Sequence, residues 1–404
     1  MSVVHVFNGD YQGVKVLDGR EVDLISAFLF KSGGNKNPAV LLANADKSFI
    51  GSYLLGMGFT FDDSNPDTTP IAEMHRLIEQ NSKNSELIFP YIGGEEVNSS
   101  PTHAHHRYVI NFGEMSEYEA KEYSDLYAIV QEKVFPERKN KPGSYSRQWW
   151  LFARRNQEGS KSIVPLERVL VSCLVGKHLS FAFLPNGMVY SKNIVVFAIS
   201  KYSAFTSLQN RAHEIWARFF SSTMKDDLNY TPSDCFETFP FPENWETNPT
   251  LETIGKEYYE YRAALMVRNN QGLTDTYNRF HDPDEYDPEI LKLRELHSAM
   301  DKAVLDAYGW SDIPTDCDFI LDYEDEEDAE NSSGRQKKKP WRYRWREEIH
   351  DEVLARLLDL NQKRAEAEIL GGKAADKSKT KGGQTKKKRK NENERVTIPG
   401  MKVD

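Results

Sequence analysis

Arg138, Lys139, Lys141, Arg147, Arg154 and Arg155 are interleaved with Tyr145, Trp149, Trp150 and Phe152 in a chain of 404 residues. That mixture suits a polyanion, because cations position phosphates while aromatic rings stack on bases or pack the scaffold that carries the cations. Lys161 extends the series, and Arg211 lies further along the same basic block. Lys177, His178, Ser180, Asn186 and Lys192 surround the dipeptide Asn186-Gly187, a strong short-range hairpin signal. Lys favours guanine edges and Asn favours adenine edges, and a two-stranded ribbon fits the major groove. The hairpin is therefore the candidate base reader, and these thirteen residues are the candidate DNA-binding set.

Charge is distributed in blocks that the formal net charge of −10 conceals. From Lys133 to Lys225 there are fifteen Lys/Arg against four acids, a balance of +11, and from Asn331 to Asp404 twenty-one against eleven, a balance of +10. The remainder carries −31, with ten acids and no base between Asp312 and Glu330. A basic block within an acidic chain is what a phosphate-binding surface needs, since each contacted phosphate releases a counterion.

Chemistry beyond binding finds little support. An amino-methylase that uses S-adenosylmethionine needs a Gly-rich turn and an Asx/Ser-Pro-Pro-aromatic loop against the flipped base. The sequence holds no Pro-Pro dipeptide. Gly51 to Phe59 has the glycines but neither a preceding acid nor a following helix pattern, so a packed turn is the better reading. Glu119-Ala120-Lys121 fits the end of a nuclease signature, yet it falls on an amphipathic helix where a surface ion pair is the simpler account. His103, His105 and His106 lack Cys or carboxylates at ligand spacing and read as a loop. Ser233-Asp234-Cys235 reads as a turn, and Cys173, Cys235 and Cys317 read as reduced, unpaired thiols. No catalytic and no metal-binding residue is assigned.

These side chains need elements to hold them. Short apolar runs at Val3–Phe7, Val14–Leu17, Val40–Leu42 and Ser48–Phe61 read as strands, the trailing edge of a larger sheet. Ile71–Gln80 reads as a helix and Arg107–Phe112 as a strand. Ser116 caps a helix reaching about Val134, with Glu119 at the capping-box position and Pro136 ending it. Arg168–Val175, Lys177–Leu184, Met188–Tyr190 and Asn193–Ile199 read as strands. A helix follows in which Leu208, Ala212, Ile215, Trp216 and Phe219 share a face while Arg211, His213, Glu214 and Arg218 fall away from it. Leu251–Val267, Pro288–Tyr308 and Trp341–Ile369 carry helical spacing, and the Lys-rich segment beyond Gly371 reads as disordered. No run of eighteen apolar residues exists, so no membrane span is expected, and the early polar residues argue against a signal peptide.

Several segments, in order, resemble one family: Ser48–Ser52, Pro90–Asn98, Tyr108–Gly113, Lys133–Arg138 and Trp149-Trp150. The most specific is His213–Arg218 leading through Asp226–Thr231 to Phe236–Pro242, followed by Gly272–Asn278 and Ala307–Trp310. They are similar to the target-recognition and C-terminal regions of MmeI-type (type IIL) restriction-modification methyltransferases, which modify adenine N6. The resemblance implies an α+β fold, with a mixed α/β target-recognition domain, a helical C-terminal domain and a disordered basic tail. The expected divisions are 1–65 (trailing strands of a methyltransferase-type domain), 66–242 (target recognition), 243–311 (helical), 312–340 (acidic-to-basic linker), 341–370 (C-terminal helix) and 371–404 (tail). It further implies sequence recognition of double-stranded DNA in a cytoplasmic phage-defence system, on behalf of an adenine-specific methylase. Because the motifs of the family's catalytic half do not occur in this sequence, whether the chain is itself an enzyme stays open. No cofactor is assigned to it; S-adenosylmethionine and the nuclease and methyltransferase chemistry are expected on a separate polypeptide. A truncated, inactive fragment is the alternative, and a stand-alone nuclease a further one.

Overall fold

The computed structural model describes residues 11–371 apart from 12, 18, 32–35, 156, 225–226 and 322–340. The Val3–Phe7 strand, residues 322–340 of the expected linker and the tail beyond Gly371 lie outside the described residues. The architecture is α+β. Strands β1 (Lys15–Leu17) and β2 (Arg20–Val22) form an antiparallel pair. β3 (Ser48–Ile50) and β4 (Thr60–Phe61) flank a 3-10 turn at Met57–Phe59 and precede helix α1 (Ile71–Gln80). β5 (Ile88–Ile92), α2 (Gly94–Ser99) and β6 (Arg107–Ile110) lead into α3 (Glu117–Lys121), α4 (Ser124–Lys133) and α5 (Phe135–Arg138). Short helices α6 (Ser144–Arg147) and α7 (Gln157–Ile163) follow.

The strand-rich centre comprises β7 (Arg168–Cys173), β8 (Val175–Gly176), β9 (Phe181–Pro185), β10 (Val189–Tyr190) and β11 (Ile194–Phe197). Helices α8 (Tyr202–Gln209) and α9 (Arg211–Phe220) come next, then β12 (Ser222–Met224) and β13 (Asp227–Asn229). Helices α10 (Pro249–Asn269), α11 (Leu273–Phe280) and α12 (Pro288–Ala307) form the helical part. β14 (Cys317–Leu321), β15 (Trp341–Trp345) and α13 (Glu347–Leu370) complete the described chain.

Two four-stranded sheets organise these elements. One has the order β10-β5-β6-β4, with β10 parallel to β5; the other is antiparallel, in the order β3-β11-β7-β9. β7, β9 and β11 are apolar along almost their whole length because both faces are covered. This corrects the expected hairpin. β9 pairs with β7, β10 pairs with β5, and Asn186-Gly187 is the turn at which the chain passes from one sheet to the other. Gly187 has a φ of +88°, which an L side chain rarely adopts.

Local chemistry accounts for several boundaries. The Ser116 hydroxyl accepts from the Glu119 N–H, and the Glu119 carboxylate accepts from the Ser116 N–H, so the capping box forms as expected. The helix it starts stops at Lys121 instead of running to Val134, and Pro136 opens α5 instead of ending a helix, since its missing N–H costs nothing in a first turn. Similarly, the helix expected around Leu208 is two helices, broken where the Asn210 side chain accepts from His213 N–H and caps α9. Trp341–Trp345 pairs residue by residue with Cys317–Leu321. Helical spacing there was therefore misleading: the helix begins only at Glu347, and part of the expected linker is strand.

Two apolar clusters form the core. The smaller joins α1, α3 and α4 to Phe59, Phe61, Phe112 and residues 149–152. The larger runs from Phe30 through β7, β9 and β11 to α8–α12 and Val353–Leu358, crossing position 242 without a break. α10 approaches α8 at Gly255, where a Cβ would come within 2.6 Å of the Tyr202 carbonyl oxygen and would also meet the Thr206 hydroxyl. At the far end of the chain, Asn361 of α13 accepts from Ala39 N–H (2.9 Å) and donates to Ala39 O (2.8 Å) and Thr238 O (2.6 Å). Glu368 accepts from the Leu42 and Ala43 N–H groups, so the last helix closes over one of the earliest described segments.

Candidate nucleic-acid interface

Three backbone segments meet at Tyr53. Its N–H and carbonyl pair with Arg154 (3.0 and 3.1 Å), and Ser52 N–H donates to Tyr190 O (2.8 Å) in a parallel bridge between Ser52 and Ser191. Lys192 is exposed, with its ammonium 4.5 Å from the centre of the Tyr53 ring. Arg154 is exposed as well, and Arg155 is half-buried, donating to Gly113 O at 2.8 Å. A rigid junction thus carries cations beside a phenol. Such a junction can hold phosphate oxygens and offer a ring to sugar or base.

Arg138 sets this junction from beneath. It is fully buried, stacks on Phe59, and donates to the carbonyls of Leu55 (2.7 Å), Trp149 (3.1 Å) and Leu151 (2.6 Å) and to that of Leu54. Burial lowers its pKa to about 10, so it stays charged at neutral pH. The expectation of a surface cation is corrected: its donors are consumed by backbone, which fixes the segments on either side of Tyr53 and Arg154. Trp149 and Trp150 are buried too, and the Trp150 indole donates to Met115 O at 2.9 Å, so both pack the scaffold.

The other expected residues separate into surface and interior. Lys139, Lys141, Arg147 and Lys161 are exposed on or beside α5, α6 and α7. Arg211 is buried against Asp301, His297 and the Tyr343 carbonyl, which corrects its placement on an outward face; His213 on the same helix is buried as well. Ser180 is buried. Asn186 donates to Ile163 O (2.8 Å) and Leu166 O (2.9 Å), which closes the sheet-to-sheet turn instead of presenting an amide outward. Lys177 is exposed but donates to Asn278 Oδ1 (2.8 Å), an oxygen also 3.0 Å from His178 Nε2. The structure therefore does not bring Lys177, Asn186 and Lys192 onto one ribbon. Asn186→Ala is expected to cost about 1–3 kcal/mol of stability through its orphaned carbonyls. A urea titration measures it, and unchanged stability would return Asn186 to the surface set.

Tyr53 was missed in the sequence because nothing local distinguishes it; only the bridges to Arg154 and the 190–192 segment reveal it. In the segments most specific to the resemblance, His213, Trp216, Tyr230, Phe236, Phe239 and Phe241 are buried. His213 Nε2 meets the Tyr230 hydroxyl at 2.9 Å, the Trp216 indole donates to the Thr238 hydroxyl at 3.1 Å, and the His213 ring lies 4.5 Å from that of Phe239. Burial pushes the His213 pKa down to about 3.

Cofactor and metal chemistry find no cradle in the expected places. A Cβ at Gly51 would strike the backbone of Tyr190 and Ser191, and one at Gly58 would strike Lys133, so the glycines of this loop pack against protein and do not fit S-adenosylmethionine. Glu119 is committed to its cap, and Lys121 pairs with Glu117 at 2.9 Å. His103 Nδ1 is bound to Val97 O (2.8 Å), while His106 faces Glu96. Among the described residues Glu347, His350 and Asp351 come close enough to share an ion, but Glu347 is paired with Arg344 and His350 with Asp351. All three cysteines are unpaired, their thiols pushed up to about 12 by burial.

Comparison with known proteins adds two findings. The family model "MmeI, target recognition domain" matches residues 38–243. A solved structure described as that of the type IIL restriction-modification enzyme MmeI in complex with DNA superposes with a TM-score of 0.54 at 17% identity, over 86% of this chain and 39% of that one. This chain thus spans well under half the length of that relative. No curated protein matches it.

Proposed function

The chain belongs to the MmeI target-recognition-domain family, and from that premise we propose that it recognises a duplex DNA sequence for a restriction-modification enzyme of type IIL. The observation that carries this reading is the junction of Tyr53, Arg154 and Lys192 within the matched residues, where exposed cations flank an aromatic ring on a fixed backbone. Lys139, Lys141, Arg147, Arg155 and Lys161 extend the cationic surface as phosphate contacts. Sequence preference then comes from side chains at the junction, not from the turn at Asn186-Gly187.

The finer reading follows the family. The modification is methyl transfer to adenine N6 in a phage-defence system of the cytoplasm, and the transfer and cleavage chemistry is supplied by residues other than those described. None of the chain's described helices is long and apolar enough to cross a membrane.

Neutralising Arg154, Arg155 and Lys161 together to Gln tests the surface. Binding to duplex DNA is expected to weaken on all sequences, and the slope of log K against log salt to fall by about 0.9 for each phosphate that is no longer neutralised. A salt slope equal to that of the unmodified chain would remove this surface from the interface.

A further inference from the structure

A cavity of about 180 Å³ lies between α9, β15 and the first turn of α13, with residues 342–350 contributing half of its lining outside the matched recognition domain. Among the described lining residues, Arg218, Arg342 and Arg344 stand against Glu214 and Glu347, an excess of one positive charge once Arg211 is set against Asp301. Arg218 and Arg342 both face Glu214, at 2.9 and 3.7 Å, and both donate to the Lys177 carbonyl, at 3.2 and 2.7 Å. Burial raises the Glu214 pKa, but Arg218 and Arg342 outweigh it and lower the group to about 2.

Three further features favour an anion. α13 is twenty-four residues long, starts at the cavity, and its N-cap residue Arg346 makes no side-chain cap. Trp345 is 1% exposed and its indole Nε1–H has no acceptor among the described residues; the same holds for Arg344 Nε. Orphaned buried donors call for an explanation, and a ligand oxygen is one. His281 Nδ1 accepts from Tyr343 N–H at 3.1 Å, which places the proton of the neutral ring on Nε2, so this wall residue also presents a donor. The volume falls below the roughly 300–1,000 Å³ of sites for drug-sized ligands, which points to a small group rather than a whole nucleotide.

We propose that this cavity binds a phosphoryl oxyanion through Arg218, Arg342, Arg344, Trp345 and the N-terminus of α13. The occupant is either free phosphate or a backbone phosphate of nucleic acid. The site does not depend on the recognition reading, because inorganic phosphate alone is the probe.

Calorimetric titration of the full chain with inorganic phosphate, at ionic strength held constant with chloride, tests it. Saturable binding is expected, with Arg344→Gln weakening it about tenfold or more. Glu347→Gln is expected to tighten it several-fold, because it releases Arg344 and removes a competing carboxylate; a merely structural role would not produce that gain. No saturable binding by the unmodified chain, or equal affinity in all three proteins, overturns the proposal. A duplex titrated against salt then identifies the source. If Arg344→Gln lowers the salt slope by about one, the occupant is a backbone phosphate; if phosphate affinity falls while the slope holds, it is the free ion.

Discussion

Arg138→Met is expected to destabilise the chain by about 3 kcal/mol or more and to weaken DNA binding with it. The substitution keeps an unbranched apolar stem against Phe59 but leaves four carbonyls (Leu54, Leu55, Trp149 and Leu151) without their donor. Each buried acceptor left unmet costs on the order of 1–3 kcal/mol, and relaxation recovers part of that. Those carbonyls lie on the two segments that carry Tyr53 and Arg154, so the interface loses its shape before it loses any exposed charge. Urea unfolding measures the first effect, and duplex binding under conditions where the variant is folded measures the second. A loss below about 1 kcal/mol would mean that the clamp does not hold these segments.

Lowering the pH from 7 to 5 is expected to cost several kcal/mol of stability. His213 and His178 are pushed down to about 3, chiefly by burial and, for His178, by Arg342 as well; His281 is held well below its ordinary 6.5 for the same reasons. With folded values depressed, the unfolded chain binds the extra protons. The stabilisation is therefore complete above about 6.5 and is lost as pH falls toward the folded values. Each imidazole contributes about 1.4 kcal/mol per pH unit within that window, and His103, lowered to about 4 chiefly by burial, acts with these three as a fourth. Glu214, lowered to about 2, adds a further loss in the same direction below its ordinary 4.5. Urea midpoints across pH 5–8 follow the effect, and His178→Phe should remove about a quarter of the slope between pH 6 and 5. Stability that is flat across this range would contradict buried neutral imidazoles.

Much of the scaffold was legible because it is encoded locally. Ile71–Gln80 is a helix with the expected ends, Ser116 and Glu119 form their box, and Pro288 opens α12 where the spacing places it. The errors arise where partners are distant in sequence. Asn186-Gly187 is a genuine turn, but which strand β10 joins is decided by β5, about a hundred residues earlier. Arginine reads as a surface residue because an isolated guanidinium is costly to bury. Arg138 and Arg211 are buried because acceptors 84 and 90 positions away, at Leu54 and Asp301, satisfy their guanidinium groups. Trp341–Trp345 alternates like a strand and also fits a helical stripe; only the match to Cys317–Leu321 decides. The surface cations Lys139, Lys141, Arg147, Arg154, Lys161 and Lys192 needed no such partner, so composition alone was enough to find them.

The bonds from Asn361 and Glu368 back to residues 39–43 also bear on how the chain is made. They close loops of 322 to 326 residues. A ribosome adding about 5–20 residues per second delivers the second half of that pairing roughly 15–60 s after the first. For about the second half of that interval, once β11 has been made, the strands of the larger core wait with one wall missing, and pairings of such sequence separation are the slow ones to form. Translation, not binding, is thus when this chain is most exposed to aggregation and proteolysis. A stop codon placed before α13 should harm it most there, as a loss of soluble yield, although it spares every residue of the junction at Tyr53.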